Sequence, residues 1–125
     1  LKDNTLENSI STTSSNSISA VESKTEIPTV TTSQKNALKR AKEYLKTMPF
    51  SYTGLIEQLE FEQYSHEDAV YAADNCGADW NEQAAKKAQD YLDIMAFSRQ
   101  GLIDQLQFEG YTYEQAVYGV NQVGL

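Results

Sequence analysis

Slid along itself by 47 residues, the sequence covers itself without a gap. Residues 34–77 then lie over residues 81–124, and about half of the aligned positions are identical. Tyr44-Leu45 falls on Tyr91-Leu92, Phe50-Ser51 on Phe97-Ser98, and Gly54-Leu55-Ile56 on Gly101-Leu102-Ile103. Met48 meets Met95, Phe61-Glu62 meets Phe108-Glu109, and Ala69-Val70-Tyr71 meets Ala116-Val117-Tyr118. An internal period of this length is the mark of one small supersecondary unit used twice. The chain therefore divides into a tail over residues 1–33, a first repeat over 34–77 and a second over 78–125.

Within each copy the apolar residues keep helical time. Ala37, Leu38, Ala41, Tyr44 and Leu45 form one stripe at i, i+3, i+4, i+7 and i+8, and Pro49 ends that helix. Ser51 has the character of an N-cap. Phe50 before it and Leu55 after it have the spacing of a hydrophobic staple, repeated by Phe97, Ser98 and Leu102. The second helix is expected to bury Leu55, Ile56, Leu59 and Phe61. Gly54 and Gly101, poor helix residues in a first turn, are read as points of close helix approach. A tight turn follows, with Gly110 suited to a left-handed position that should cost Gln63 about 1 kcal/mol. A third helix opens at Ser65 or Thr112, where Gln115 completes a capping box; it turns Ala69, Val70 and Ala73 inward and stops at Gly77. The fold class is all-α, a tandem pair of three-helix, helix-turn-helix-like units. Residues 78–80 link them, Asp79 and Glu82 have capping-box spacing, and Trp80, without a counterpart, is expected to pack between the units.

The tail differs in kind. Residues 1–33 are rich in Ser, Thr and Asn and hold no aromatic residue, whereas all 8 Tyr, all 4 Phe and the single Trp lie beyond them. Such a stretch buries too little apolar surface to offset the entropy of ordering it, so a disordered stalk is expected. At about thirty residues its random-coil reach is roughly 30 Å.

Charge excludes one class of partner. The net charge is −8. The tail carries four acids against two lysines, residues 34–77 seven against five basic residues, and the remainder seven against three. Affinity for nucleic acid comes chiefly from Lys and Arg at phosphates. A recognition helix in the third position would offer His66, Glu67, Asp68 and Asp74, or Tyr113, Glu114 and Gln115, with no basic residue to enter a groove. A basic protein partner is the better complement.

No catalytic arrangement emerges, so the chain is read as a binding module rather than an enzyme. His66 is the sole histidine and Cys76 the sole cysteine. They stand at the two ends of one short helix, about 15 Å apart by helical rise. No glycine-rich phosphate loop is present. No second thiol or histidine stands at metal-ligand spacing from Cys76, and neither cofactor nor metal is expected. The shared tyrosines Tyr64, Tyr71, Tyr111 and Tyr118 are expected to be core or half-buried.

The copies differ most on their first helices. Lys35, Lys39, Arg40, Lys42 and Lys46 align with Glu82, Lys86, Lys87, Gln89 and Asp93, while the core positions hold. The second copy thereby gathers Asp79, Glu82, Asp90, Asp93, Asp104, Glu109 and Glu114, read as an acidic face able to steer and hold a basic partner.

The run from Ala78 to Ala84, with Tyr91-Leu92, Phe97 to Ile103, Phe108 to Thr112 and Gln115 to Gly119, resembles the repeat of the Ltp-type host cell surface-exposed lipoproteins of Gram-positive bacteria and their temperate phages. The resemblance covers both repeats, roughly three quarters of the chain. It implies a monomeric head held outside the membrane by an N-terminal lipid anchor and a Ser/Thr-rich spacer. It further implies superinfection exclusion, by blocking DNA injection, with the tape measure protein of the incoming phage as target. The sequence starts at Leu1 without a lipobox cysteine, so the anchor is expected outside it or missing, and Cys76, inside a repeat, is not that cysteine. A second possibility is a scaffold that binds cell wall or a host protein and has no antiviral role.

Overall fold

The computed structural model describes residues 29–125. Thr31–Leu125 form one compact unit of six helices: α1 (Thr32–Thr47), α2 (Tyr52–Phe61), α3 (His66–Asn75), α4 (Trp80–Ile94), α5 (Arg99–Phe108) and α6 (Tyr113–Gln122). The all-α tandem architecture is as the repeat implied. In each copy the third helix packs chiefly on the first, and the second on the third, so α1–α3 and α4–α6 are the same trio built twice. The expected stalk lies, over residues 1–28, outside the described residues. Its last residues are not stalk, because Thr31 caps α1 in a full capping box with Gln34, which starts the helix at Thr32.

Local chemistry fixes the element ends. Ser51, Ser65, Ser98 and Thr112 each accept a hydrogen bond from the backbone N–H three residues on, which satisfies one orphan donor of the first turn. The turns after α2 and α5 are Schellman motifs. Tyr64 N–H reaches Leu59 C=O at 3.1 Å, and Tyr111 N–H reaches Leu106 C=O at 3.1 Å. Such a motif requires a left-handed residue at its corner, and Gln63 (φ 78°) and Gly110 (φ 106°) supply it. Gly77 (φ 78°) closes α3.

Each trio buries its own core. Leu55, Leu59, Ala37, Ala41, Ala69 and Ala72 are fully buried in the first, and Leu102, Leu106, Ala84, Ala88, Ala116 and Val120 in the second. Three sequence expectations need correction. Phe61 is 79% exposed and Phe108 86%; two residues beyond Leu59, each points about 200° around the helix from the buried stripe. Val70 is only half-buried, and Ala72 takes the deep position instead. Gly54 and Gly101 do not mark helix contacts. The nearest atom to a Cβ there would be the capping hydroxyl of the same turn, at 2.8 Å for Ser51 and 2.9 Å for Ser98, and not the backbone of a neighbouring helix. The close approach is at Gly119, where a Cβ would fall 2.7 Å from the backbone of Ala84, letting α6 lie tightly on α4.

Candidate functional site

Two features of the pair bear on function: the junction between the repeats and the charged surface of the second. The junction is made by caps and turns. The N-terminal edge of α2 offers hydrogen-bond donors, and the second repeat answers with acceptors. Phe50 N–H donates to Gln83 Oε1 at 3.0 Å, Ser51 Oγ donates to Glu109 C=O at 2.7 Å, and Thr53 Oγ1 donates to Gly110 C=O at 3.3 Å. Gln83 is buried as a result, and its own C=O accepts from the Tyr111 hydroxyl at 3.2 Å. Trp80 meets Tyr52 edge to face, centroids 5.5 Å apart, and packs against the core of the first trio. Trp80 thus joins the units as its lack of a counterpart suggested. Beside these bonds runs a groove of about 330 Å³, lined by Met48, Pro49, Lys87, Phe108 and Glu109 among others.

Each repeat also carries a polar cluster that the sequence reading missed. In the first, Arg40 bonds Glu62 at 2.9 Å, stacks over the Tyr44 ring at 4.3 Å, and the Tyr44 hydroxyl meets both Glu62 and Gln58. In the second, Lys87, Tyr91, Gln105 and Glu109 stand at the same places, with Lys87 3.5 Å from Glu109 and Gln105 bonded to Tyr91 at 3.0 Å. Tyr44 and Tyr91 lie edge to face with Phe50 and Phe97. The bond from Arg40 holds the Glu62 carboxyl below its usual range, and Glu62 raises the Arg40 guanidinium in turn. The signal was present in sequence: both copies keep two adjacent basic positions, Lys39/Lys86 and Arg40/Lys87, and the cluster forms on the second of them.

The seven acids of the second repeat stand in several local settings. Asp79 caps α4 by accepting from Asn81 and Glu82 N–H. The Glu82 side chain does not complete the expected box but meets the Tyr118 hydroxyl at 3.3 Å. The negative charge of Glu82, then desolvation and Asp79, raises the Tyr118 pKa, so these two carboxylates share one neighbourhood. Glu109 and Asp90 share another, beside the buried Tyr111, whose phenol is pushed far above its ordinary range by burial first and by these charges second. Glu109 is engaged by Lys87, and Asp90 lies with Lys46 and Lys86 along a shallow cleft. Asp93 accepts from Gln89 and Asp104 from Gln100, both at 2.8 Å, and Glu114 sits in the first turn of α6. Among the described residues no basic side chain pairs with Asp79, Glu82, Asp90, Asp93, Asp104 or Glu114 within 4.0 Å. All six are exposed.

The other chemistry-bearing residues have local roles. His66 is exposed and bonded to Glu60 at the start of α3. Cys76 is half-buried, its thiol donating to Ala73 C=O at 3.4 Å. Among the described residues no group of three His, Cys, Asp or Glu gathers to hold a metal ion, and no helix is long and apolar enough to cross a membrane. Of the shared tyrosines, Tyr111 is buried, and Tyr64, Tyr71 and Tyr118 are half-buried.

Comparison with known proteins bears on both repeats. Residues 32–76 and 79–123 each match the family model described as host cell surface-exposed lipoprotein. The chain is also similar to the solved structure of Ltp, a superinfection exclusion protein from the Streptococcus thermophilus temperate phage TP-J34. That likeness has 35% identity and a TM-score of 0.69, and it covers 80% of this chain and 99% of that one. A comparison with curated proteins gave no match.

Proposed function

The chain belongs to the family of Ltp-type host cell surface-exposed lipoproteins, and from that premise we propose that it is a cell-surface head that excludes superinfecting phage. In this reading it is held by an N-terminal lipid anchor on the outer face of a Gram-positive membrane. It stops DNA injection by binding the tape measure protein of the incoming phage in a one-to-one capture, without catalysis. The observation that carries this is the likeness of the whole tandem, at 35% identity, to a protein that performs superinfection exclusion.

The chemistry of capture follows from the second repeat. Exposed carboxylates without a cation attract a basic polypeptide over roughly a Debye length, about 8 Å at physiological ionic strength. They raise its association rate more than its final affinity. Asp79 and Glu82, together at the start of α4, and Asp93 near its end form the strongest array, with Asp90 on the same helix partly offset by Lys46 and Lys86 along its cleft. Glu109 is the weakest of the seven, because Lys87 already neutralises it.

The test is made in cells. An anchored form carrying Glu82→Lys, Asp90→Lys and Asp93→Lys should keep its surface level and lose protection against phage DNA entry. Undiminished protection would rule out capture by these carboxylates. Retention of the head by purified cell wall, with no hold on the tape measure protein, would favour the scaffold alternative.

A further inference from the structure

Four lysines form one stripe along α1. At about 100° per residue, Lys35, Lys39, Lys42 and Lys46 fall within an arc of about 60°, over a length of about 16 Å. All four are exposed, and the buried Ala37 and Ala41 lie on the far side of the helix. Among the described residues none of the four has a carboxylate within 4.0 Å. Glu43, which borders the stripe, is taken by Arg40, and Lys46 shares a shallow cleft with Asp90. Like charges three and four residues apart repel and weaken a helix. The fold does not need them either, because the aligned face of α4 carries Glu82, Lys86, Gln89 and Asp93 on the same architecture.

We propose that the lysine stripe of α1 is a contact face for an anionic lipid surface, and that it orients the head on the membrane to which the chain is anchored. The inference rests on the surface-anchored reading above. Three features select lipid. α1 is the first helix after residues 1–28, which in that reading lead to the anchor, so the stripe is the charged face nearest the membrane along the chain. A tether supplies a high effective concentration, which a chain of net charge −8 needs in order to meet any anion. The cations are all lysines on a convex helix face. They are point charges suited to a plane of phosphate headgroups, whereas bidentate recognition of a single phosphate calls for arginine. A second copy is the poorer occupant, because the matching face of α4 sets Lys86 between Glu82 and Asp93. The surface that attracts α1 repels the exposed carboxylates of the second repeat, and so turns them outward toward an arriving partner.

The test tethers the full chain, as Leu1→Cys with Cys76→Ser, to a maleimide lipid. The vesicles are phosphatidylcholine alone or phosphatidylcholine mixed with phosphatidylglycerol. Circular dichroism confirms the fold, and mass spectrometry reads the acetylation rate of each lysine at low salt. On the anionic vesicles Lys35, Lys39 and Lys42 should react several-fold more slowly than on the neutral ones, and high salt should erase the difference. Lys87, held by Glu109 in the second repeat, should react alike on both. Removing two of the lysines as Lys35→Gln and Lys42→Gln, each worth about fivefold near such a surface, should return Lys39 to its rate on neutral vesicles. Equal rates on the two vesicles overturn the proposal. Slowing on neutral vesicles, which marks contact between copies, or equal slowing by free glycerol phosphate, which marks a soluble anion, overturns it too. None of these outcomes depends on capture of the tape measure protein, so failure here leaves the exclusion reading standing.

Discussion

Replacing Gly110 by glutamine copies the first repeat's turn into the second, and its effect separates two energies that coincide at the junction. The first is conformational. An L residue at φ 106° costs roughly 1–2 kcal/mol relative to glycine. The second is docking. A Cβ would lie 2.7 Å from Ser51 Oγ, and an overpacked contact of this kind costs typically about 1–3 kcal/mol. Displacing the turn also weakens the Ser51 and Thr53 bonds to the 109–110 carbonyls, worth about 0.5–1.5 kcal/mol each. Gln63→Gly at the equivalent corner calibrates the first energy alone, since no repeat docks there. Urea unfolding at a concentration where every chain is monomeric should show Gln63→Gly gaining about 1 kcal/mol and Gly110→Gln losing about 3 kcal/mol or more. Trp80, packed across the junction, gives a fluorescence signal local to it. If the Gly110→Gln loss only mirrors the Gln63→Gly gain, the turn carries no docking energy and the junction reasoning fails.

Three further outcomes follow from the same geometry. Ser51→Ala and Ser98→Ala each remove an N-cap worth about 1 kcal/mol, but only Ser51 also donates to Glu109 C=O. Ser51→Ala should therefore be the costlier by about 1 kcal/mol, and equal losses in calorimetric melting would contradict the bond's role. Gly119→Ala should destabilise by about 1–2 kcal/mol despite alanine's better helix propensity, because the Cβ would strike the Ala84 backbone; a raised denaturation midpoint would refute it. Arg40 lowers the Glu62 pKa from its ordinary 4.5. That contribution is complete above the ordinary value and is lost as pH falls through the lowered folded value. Acid titration of stability should show a shallower loss below about pH 4.5 in Glu62→Gln than in the wild type, and parallel curves would show the pair to be inert.

What could be read from the sequence was the periodic part. Helix number, caps and inward stripes are short-range consequences of residue order, and the repeat supplied each twice; Ser51, Ser98 and the left-handed Gln63 and Gly110 stand as spacing implied. Phe61 was misjudged because hydrophobicity was followed past the helical stripe. The expectation for Gly54 fails because the space beside a first-turn glycine is taken by the hydroxyl of its own cap and not by a neighbouring helix. The candidate site was less legible. Sequence counted seven carboxylates, but only the structure shows Glu109 spent on Lys87. The junction partners Gln83 and Glu109 C=O were invisible, since a buried glutamine and a backbone carbonyl leave no pattern of their own.

The central claim is that the acidic second repeat captures the tape measure protein. Calorimetric titration of the full chain with a C-terminal tape measure fragment, at low and at moderate salt, tests it most directly. Saturable one-to-one binding that weakens as salt rises, and that is lost in Glu82→Lys, Asp90→Lys and Asp93→Lys, is the predicted result. Absence of binding at both salt concentrations, or binding indifferent to the charge reversals, would contradict it.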